Sequence, residues 1–146
     1  MDSEQLKFLQ RRLRQASVEQ PDLKRLKSLL LRIGGTFVVA PPKPDQDIPT
    51  LLHSGFVMSG TAKLKRGKAS MCHQNVASSW KARKFGIIGI ATGYALSEDG
   101  LWRQHSWGLL RDGILETTEP RVKYFGILLQ GDRADSFASV NAPKES

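Results

Sequence analysis

The apolar pattern changes period at Phe85-Gly86, and this change limits the fold more than any other feature. Upstream, leucines recur at helical spacing. Leu6, Leu9 and Leu13 mark a helix over residues 3–16. Leu23, Leu26, Leu30 and Ile33 mark a second, with Pro21 in its first turn and Gly34-Gly35 ending it. Downstream, four short apolar runs cover residues 87–97, 101–110, 114–118 and 123–130. The turn-forming segments SEDG and RDG separate the first three. Short connections favour antiparallel neighbours, so these runs read as a meander. The expected class is α+β, with helices on a four-stranded antiparallel sheet.

Between these halves the chain is less regular. TFVVA, residues 36–40, reads as a short strand, and the four prolines of residues 41–49 as an extended loop. Residues 50–62 are ambiguous, with a short helix over 49–53. KLKRGK, residues 63–68, reads as an exposed loop. Ser70 is the expected N-cap of a helix over residues 71–84. The segment from Asp132 reads as a polar, fraying tail. A length of 146 residues fits one domain, made of a helical part (1–35), the loop, a core over 70–131 and the tail.

Charge singles out the middle of the chain. The formal net charge is +8, from 22 basic and 14 acidic residues. Residues 36–86 hold eight basic and two acidic residues, a net of +6, whereas residues 87–146 hold six and eight, a net of −2. No Asp or Glu lies between Asp47 and Glu98. That window contains Lys63, Lys65, Arg66, Lys68, Lys81, Arg83 and Lys84, and also the only cysteine, Cys72. A basic surround favours a thiolate and attracts an anionic substrate or partner, nucleic acid included. One cysteine excludes an intrachain disulfide framework and a multi-cysteine zinc site. The charged N-terminal stretch has no apolar run of signal-peptide type, and no segment is apolar over the ~20 residues that span a bilayer. These features point to a cytoplasmic protein that does not enter a membrane.

Cys72 falls in the first turn of its expected helix, where unpaired N–H groups and the helix dipole favour a thiolate. His105 is the best base for it. It lies within a strand and shares a face with Trp107. His73 follows Cys72 directly, so on a helix it points about 100° away and is a poor base. Cys72, His73, His53 and His105 are of metal-ligand type, but no paired spacing supports a metal, and no cofactor is expected. Gln74 and Asn75 could supply an oxyanion or substrate contact. A third group should orient His105, and Glu116 and Glu119 both qualify. Register leaves the choice open. A two-residue Asp112-Gly113 loop puts Glu116 opposite Leu109, roughly 13 Å along the strand from His105. A three-residue loop puts Glu119 opposite His105.

The order of MCHQNVASSW (71–80), HSW (105–107) and ILETT (114–118) resembles the papain-like cysteine superfamily, and its transglutaminase-like branch in particular. There a Cys opens a helix, and His and then an acid or Asn follow on adjacent antiparallel strands. The resemblance covers about residues 70–130. It implies a papain-like core, with Cys72 as nucleophile, His105 as base and Glu116 as orienting acid. It further implies a thiol hydrolase or an acyltransferase acting on an amide, ester or thioester. The rival readings are a basic module that binds nucleic acid or an acidic protein, and an adaptor or inhibitor of another protein.

Overall fold

A computed structural model describes residues 2–144 of the chain. Its order is α1 (Ser3–Glu19), α2 (Asp22–Ile33), β1 (Phe37–Val38), α3 (Ile48–Ser54), β2 (Phe56–Met58), β3 (Thr61–Leu64), α4 (Cys72–Lys81), β4 (Gly89–Leu96), β5 (Leu101–Leu110), β6 (Gly113–Glu116), β7 (Lys123–Leu129) and α5 (Asp132–Asn141). The α+β class fits. The expected four-stranded antiparallel sheet of a papain-like core does not: the seven strands form one mixed sheet in the order β2-β7-β4-β5-β6-β3, with β1 on β5. β1–β5 and β3–β6 are parallel pairs. Nor are the last four strands a meander, because β7 returns to pair with β4 on the far side of β5.

The N-terminal helices form where the leucine spacing puts them. Asp2 caps α1 through the Gln5 N–H, 2.7 Å away, and the Gln5 side chain answers to the Asp2 N–H. Leu23, Leu26 and Leu30 of α2 are fully buried. Burial of each such side chain contributes about 1.5–3 kcal/mol. They join Phe37, Tyr94, Leu96, Trp102 and Phe125 in a core between the helices and one face of the sheet. The proline-rich loop is tied to this layer by Asp45, whose carboxylate accepts the Tyr94 hydroxyl at 2.9 Å.

Several segments differ from the sequence expectation. β2 and β3 occupy a stretch read as irregular, and Lys63 and Leu64 of the basic segment belong to β3 rather than to a loop. Both strands are short and mostly exposed, so no alternation of apolar residues marks them. Residues 132–141 are a helix rather than a fraying tail. Ala134 and Ala138 of α5 are buried, and Asp135 accepts the Trp80 indole N–H at 2.8 Å. Ser70 does not cap α4. It has a φ of 60°, and the cap position is Met71.

The two edge strands sit at opposite ends of the sheet, yet only Ser59 and Gly60 join them. Three Cα–Cα steps reach at most about 11 Å, so the sheet must curl until its edges approach each other. The face turned away from the helices therefore lines a half-barrel, with Met58, Ala91, Ala95, Trp107, Ile114 and Tyr124 packed inside. Glycines make room there. A Cβ on Gly126 would meet the Thr92 carbonyl at 2.6 Å and the Trp107 ring at 2.7 Å. Gly126→Ala should therefore displace Trp107 and cost about 1–3 kcal/mol. A lowered melting temperature with altered tryptophan emission is the expected result.

Candidate active site

The site forms where the sheet splits. β1 covers β5 at Leu101 and Trp102, and β6 covers it from Gly108 to Leu110. Residues 103–107 have neither partner on that edge. The first turn of α4 fills the gap. Cys72 is the first residue of that helix and half-buried, close enough to the His105 ring and the Ser106 N–H for both to pull its thiol down. A stretch of strand edge in the middle of β5 that would otherwise be unpaired thus holds the thiol.

His105 faces the inside of the half-barrel and is 1% exposed. Its Nε2 lies 2.8 Å from Oε1 of Glu116, which leaves Nδ1 for the sulfur. Trp107 stacks beside the imidazole, with ring centroids 6.0 Å apart. Glu116 is also 1% exposed and fully engaged. Its Oε1 also accepts the Tyr124 hydroxyl at 2.9 Å, and its Oε2 accepts the Thr118 N–H at 3.0 Å and hydroxyl at 3.1 Å. Arg121 stands 3.9 Å away.

The β5–β6 register explains why Glu116 reaches His105. Leu110 pairs with Gly113 and Leu109 with Ile114, so the loop is Arg111-Asp112 and Gly113 already belongs to β6. Neither turn expected from the sequence forms. Continued by one pair beyond Leu115, this register sets Glu116 across from Trp107, on the face and diagonal of His105. Long side chains bridge such a diagonal. Glu119 lies elsewhere, exposed and 3.5 Å from Arg66.

Electrostatics favour a charged chain of three groups. Burial alone would push the Cys72 thiol up. The His105 hydrogen bond and charge, with the N–H groups of Ser106 and His73, outweigh that and hold it below its ordinary value. Burial opposes charge on His105 too, but its bonds to Cys72 and Glu116 raise it. Glu116 is lowered against its own burial, chiefly by His105. All three shifts run toward the charged forms: thiolate, imidazolium and carboxylate.

The remaining candidates have structural partners. Nδ1 of His73 bonds the Ser106 hydroxyl, which also meets Thr92 Oγ1 at 2.9 Å. Burial, then the charge of His105, keep His73 below its ordinary value. His53 bonds Ser54 at the surface. Among the described residues no three His, Cys, Asp or Glu side chains converge as a metal would need. Asn75 accepts the Lys68 N–H at 3.1 Å and donates to the Lys68 carbonyl at 2.9 Å, so it pins the basic loop rather than facing an oxyanion. Sequence reasoning missed Ser106, Thr118 and Tyr124. Only Thr118 had a signal, because a Thr two residues after an acid can bond back to it. The Tyr124 contact depends on the curl of the sheet.

No helix among the described residues is long and apolar enough to cross a membrane. No family model, no curated protein and no solved structure matches this chain, so the functional argument rests on these side chains and their geometry.

Proposed function

We propose that the protein is a thiol-dependent hydrolase or acyltransferase acting on an amide, ester or thioester. The observation that carries this reading is the buried 2.8 Å hydrogen bond between His105 and Glu116, closed off from water, with Cys72 at the start of α4 beside the imidazole. The Cys72 thiolate attacks the carbonyl carbon. The carbonyl oxygen becomes an oxyanion, held by first-turn N–H groups of α4. His105 gives its proton to the leaving group as the tetrahedral species collapses to a thioester. His105 then takes a proton from water or an amine, which attacks the thioester and releases the thiolate. Glu116 keeps the imidazole oriented and balances its charge.

The resemblance to the papain-like and transglutaminase-like group enters this proposal through the residues Cys72, His105 and Glu116, not through the sheet. The basic residues around Cys72 suit an anionic substrate, and a reducing cytoplasm would keep the lone thiol free. Iodoacetamide alkylation across pH tests the reading. The expected profile has its inflection below the ordinary thiol value of ~8.5. An inflection at or above that value would overturn it.

A further inference from the structure

Beside the proposed nucleophile the sheet ends in an open strand. β3 pairs only with β6 among the described residues, and all four of its residues are exposed. The chain stays extended beyond it: the Lys65 N–H donates to the Glu116 carbonyl, and the Gly67 N–H to that of Thr117. By strand alternation the N–H and C=O groups of Ala62, Leu64 and Arg66 face the open side. Four cations, Lys63, Lys65, Arg66 and Lys68, lie within residues 63–68. Asn75 fixes the end of the segment at Lys68, one helical turn from Cys72. On the other flank, the Lys65 ammonium sits 5.9 Å from the ring centroid of the half-exposed Phe85. That contact brings the two halves of the acid-free window together.

We propose that β3 and its extension dock an extended acidic polypeptide as an added strand, and so present substrate to Cys72. The inference rests on the thiol-enzyme reading for the last clause only. Lysines on an edge strand ordinarily keep copies of a protein apart. The same charges choose the occupant here, because a second basic edge is repelled and an acidic strand is attracted. Open backbone groups give affinity without sequence preference, and alternate side chains reach Leu64 and Phe85. A nucleic acid would match the charge alone. Its phosphates can accept from strand N–H groups but leave the strand C=O groups unpaired, and a single exposed ring offers no stacking row.

The test uses full-length protein carrying Cys72→Ala, so that docking is read apart from chemistry. Fluorescence anisotropy follows a labelled peptide of alternating Glu and Val. Binding is expected to weaken with salt and to fall at least about tenfold in Lys63→Glu/Lys65→Glu/Lys68→Glu. The same peptide N-methylated at every second residue keeps its charge but cannot pair along one side. It is expected to bind at least about tenfold more weakly. Equal binding of the methylated peptide, tighter binding of an oligothymidine of equal charge, or no loss in the triple variant would each overturn the proposal. If the peptide binds as expected while Cys72 in the unmodified protein alkylates like an ordinary thiol, the docking surface stands and the catalytic reading fails. If the thiol is activated and no peptide binds, the docking surface fails and the catalytic reading stands.

Discussion

Glu116→Ala is expected to lower the folding stability by about 3–5 kcal/mol, the cost of breaking a buried ion pair by removing one partner. The loss has identifiable sources. His105 would keep a buried charge with its carboxylate gone, or give it up against the pull of the Cys72 thiolate. The Tyr124 hydroxyl and the Thr118 N–H and hydroxyl would lose their acceptor inside the half-barrel. A buried donor left without a partner costs about 1–3 kcal/mol. Glu116→Gln keeps one acceptor oxygen, enough for Thr118 but not also for His105 and Tyr124, and fills the same space, so its loss should be smaller. Urea unfolding at pH 7 separates the two variants, and near-equal, small losses would contradict the buried pair.

The same residue sets an acid limb. Glu116 is held below its ordinary value in the folded protein. Its contribution is therefore complete above the unfolded value of ~4.3, and is lost as pH falls through the lower, folded one. His105 is raised, so its contribution is complete below ~6.5 and is lost as pH rises through its folded value. The Glu116→Gln protein should lose less stability on acidification than the unmodified chain.

The parts of this site differed in how well the sequence announced them. Cys72 at a helix start and His105 within a strand were readable, because a helix after the basic segment and an apolar run bounded by turns are local patterns. β4 is buried along its whole length and shows no alternation, so length and flanking turns had to mark it. The contact between the two residues is not local. It requires β6 to stop at Glu116 and β1 to stop at Val38, leaving a gap that no single segment encodes. Glu116 itself hinged on one residue of register, decided by whether Gly113 belongs to the turn or the strand. The pairing of β7 with β4 was equally hidden, since the six residues from Thr117 to Val122 that join β6 to β7 can reach either side of the sheet. α5 was missed because its buried positions are alanines, whose small side chains leave a weak apolar stripe in DRADSFASVN.

His105→Ala should reduce the alkylation rate of Cys72 by up to about 100-fold at pH 6.5. A thiol returned to the ordinary value of ~8.5 is only ~1% ionised there, and it is the thiolate that reacts. The half-buried position makes the loss sharper, because burial without the imidazolium works against ionisation. The N–H groups of Ser106 and His73, which also lower the thiol, remain in this variant, so the inflection measures what His105 adds beyond the backbone. If the variant alkylates as fast as the unmodified protein, those N–H groups and the α4 dipole account for the thiolate, and His105 is not its base. His105→Gln refines the comparison. It keeps a hydrogen-bond donor near the sulfur but no charge, so an inflection between those of the Ala variant and the unmodified protein would separate the hydrogen bond from the ion pair. Unfolding each variant in urea beforehand guards the result, since a collapsed half-barrel would expose Cys72 and raise its reactivity at alkaline pH instead of lowering it at pH 6.5.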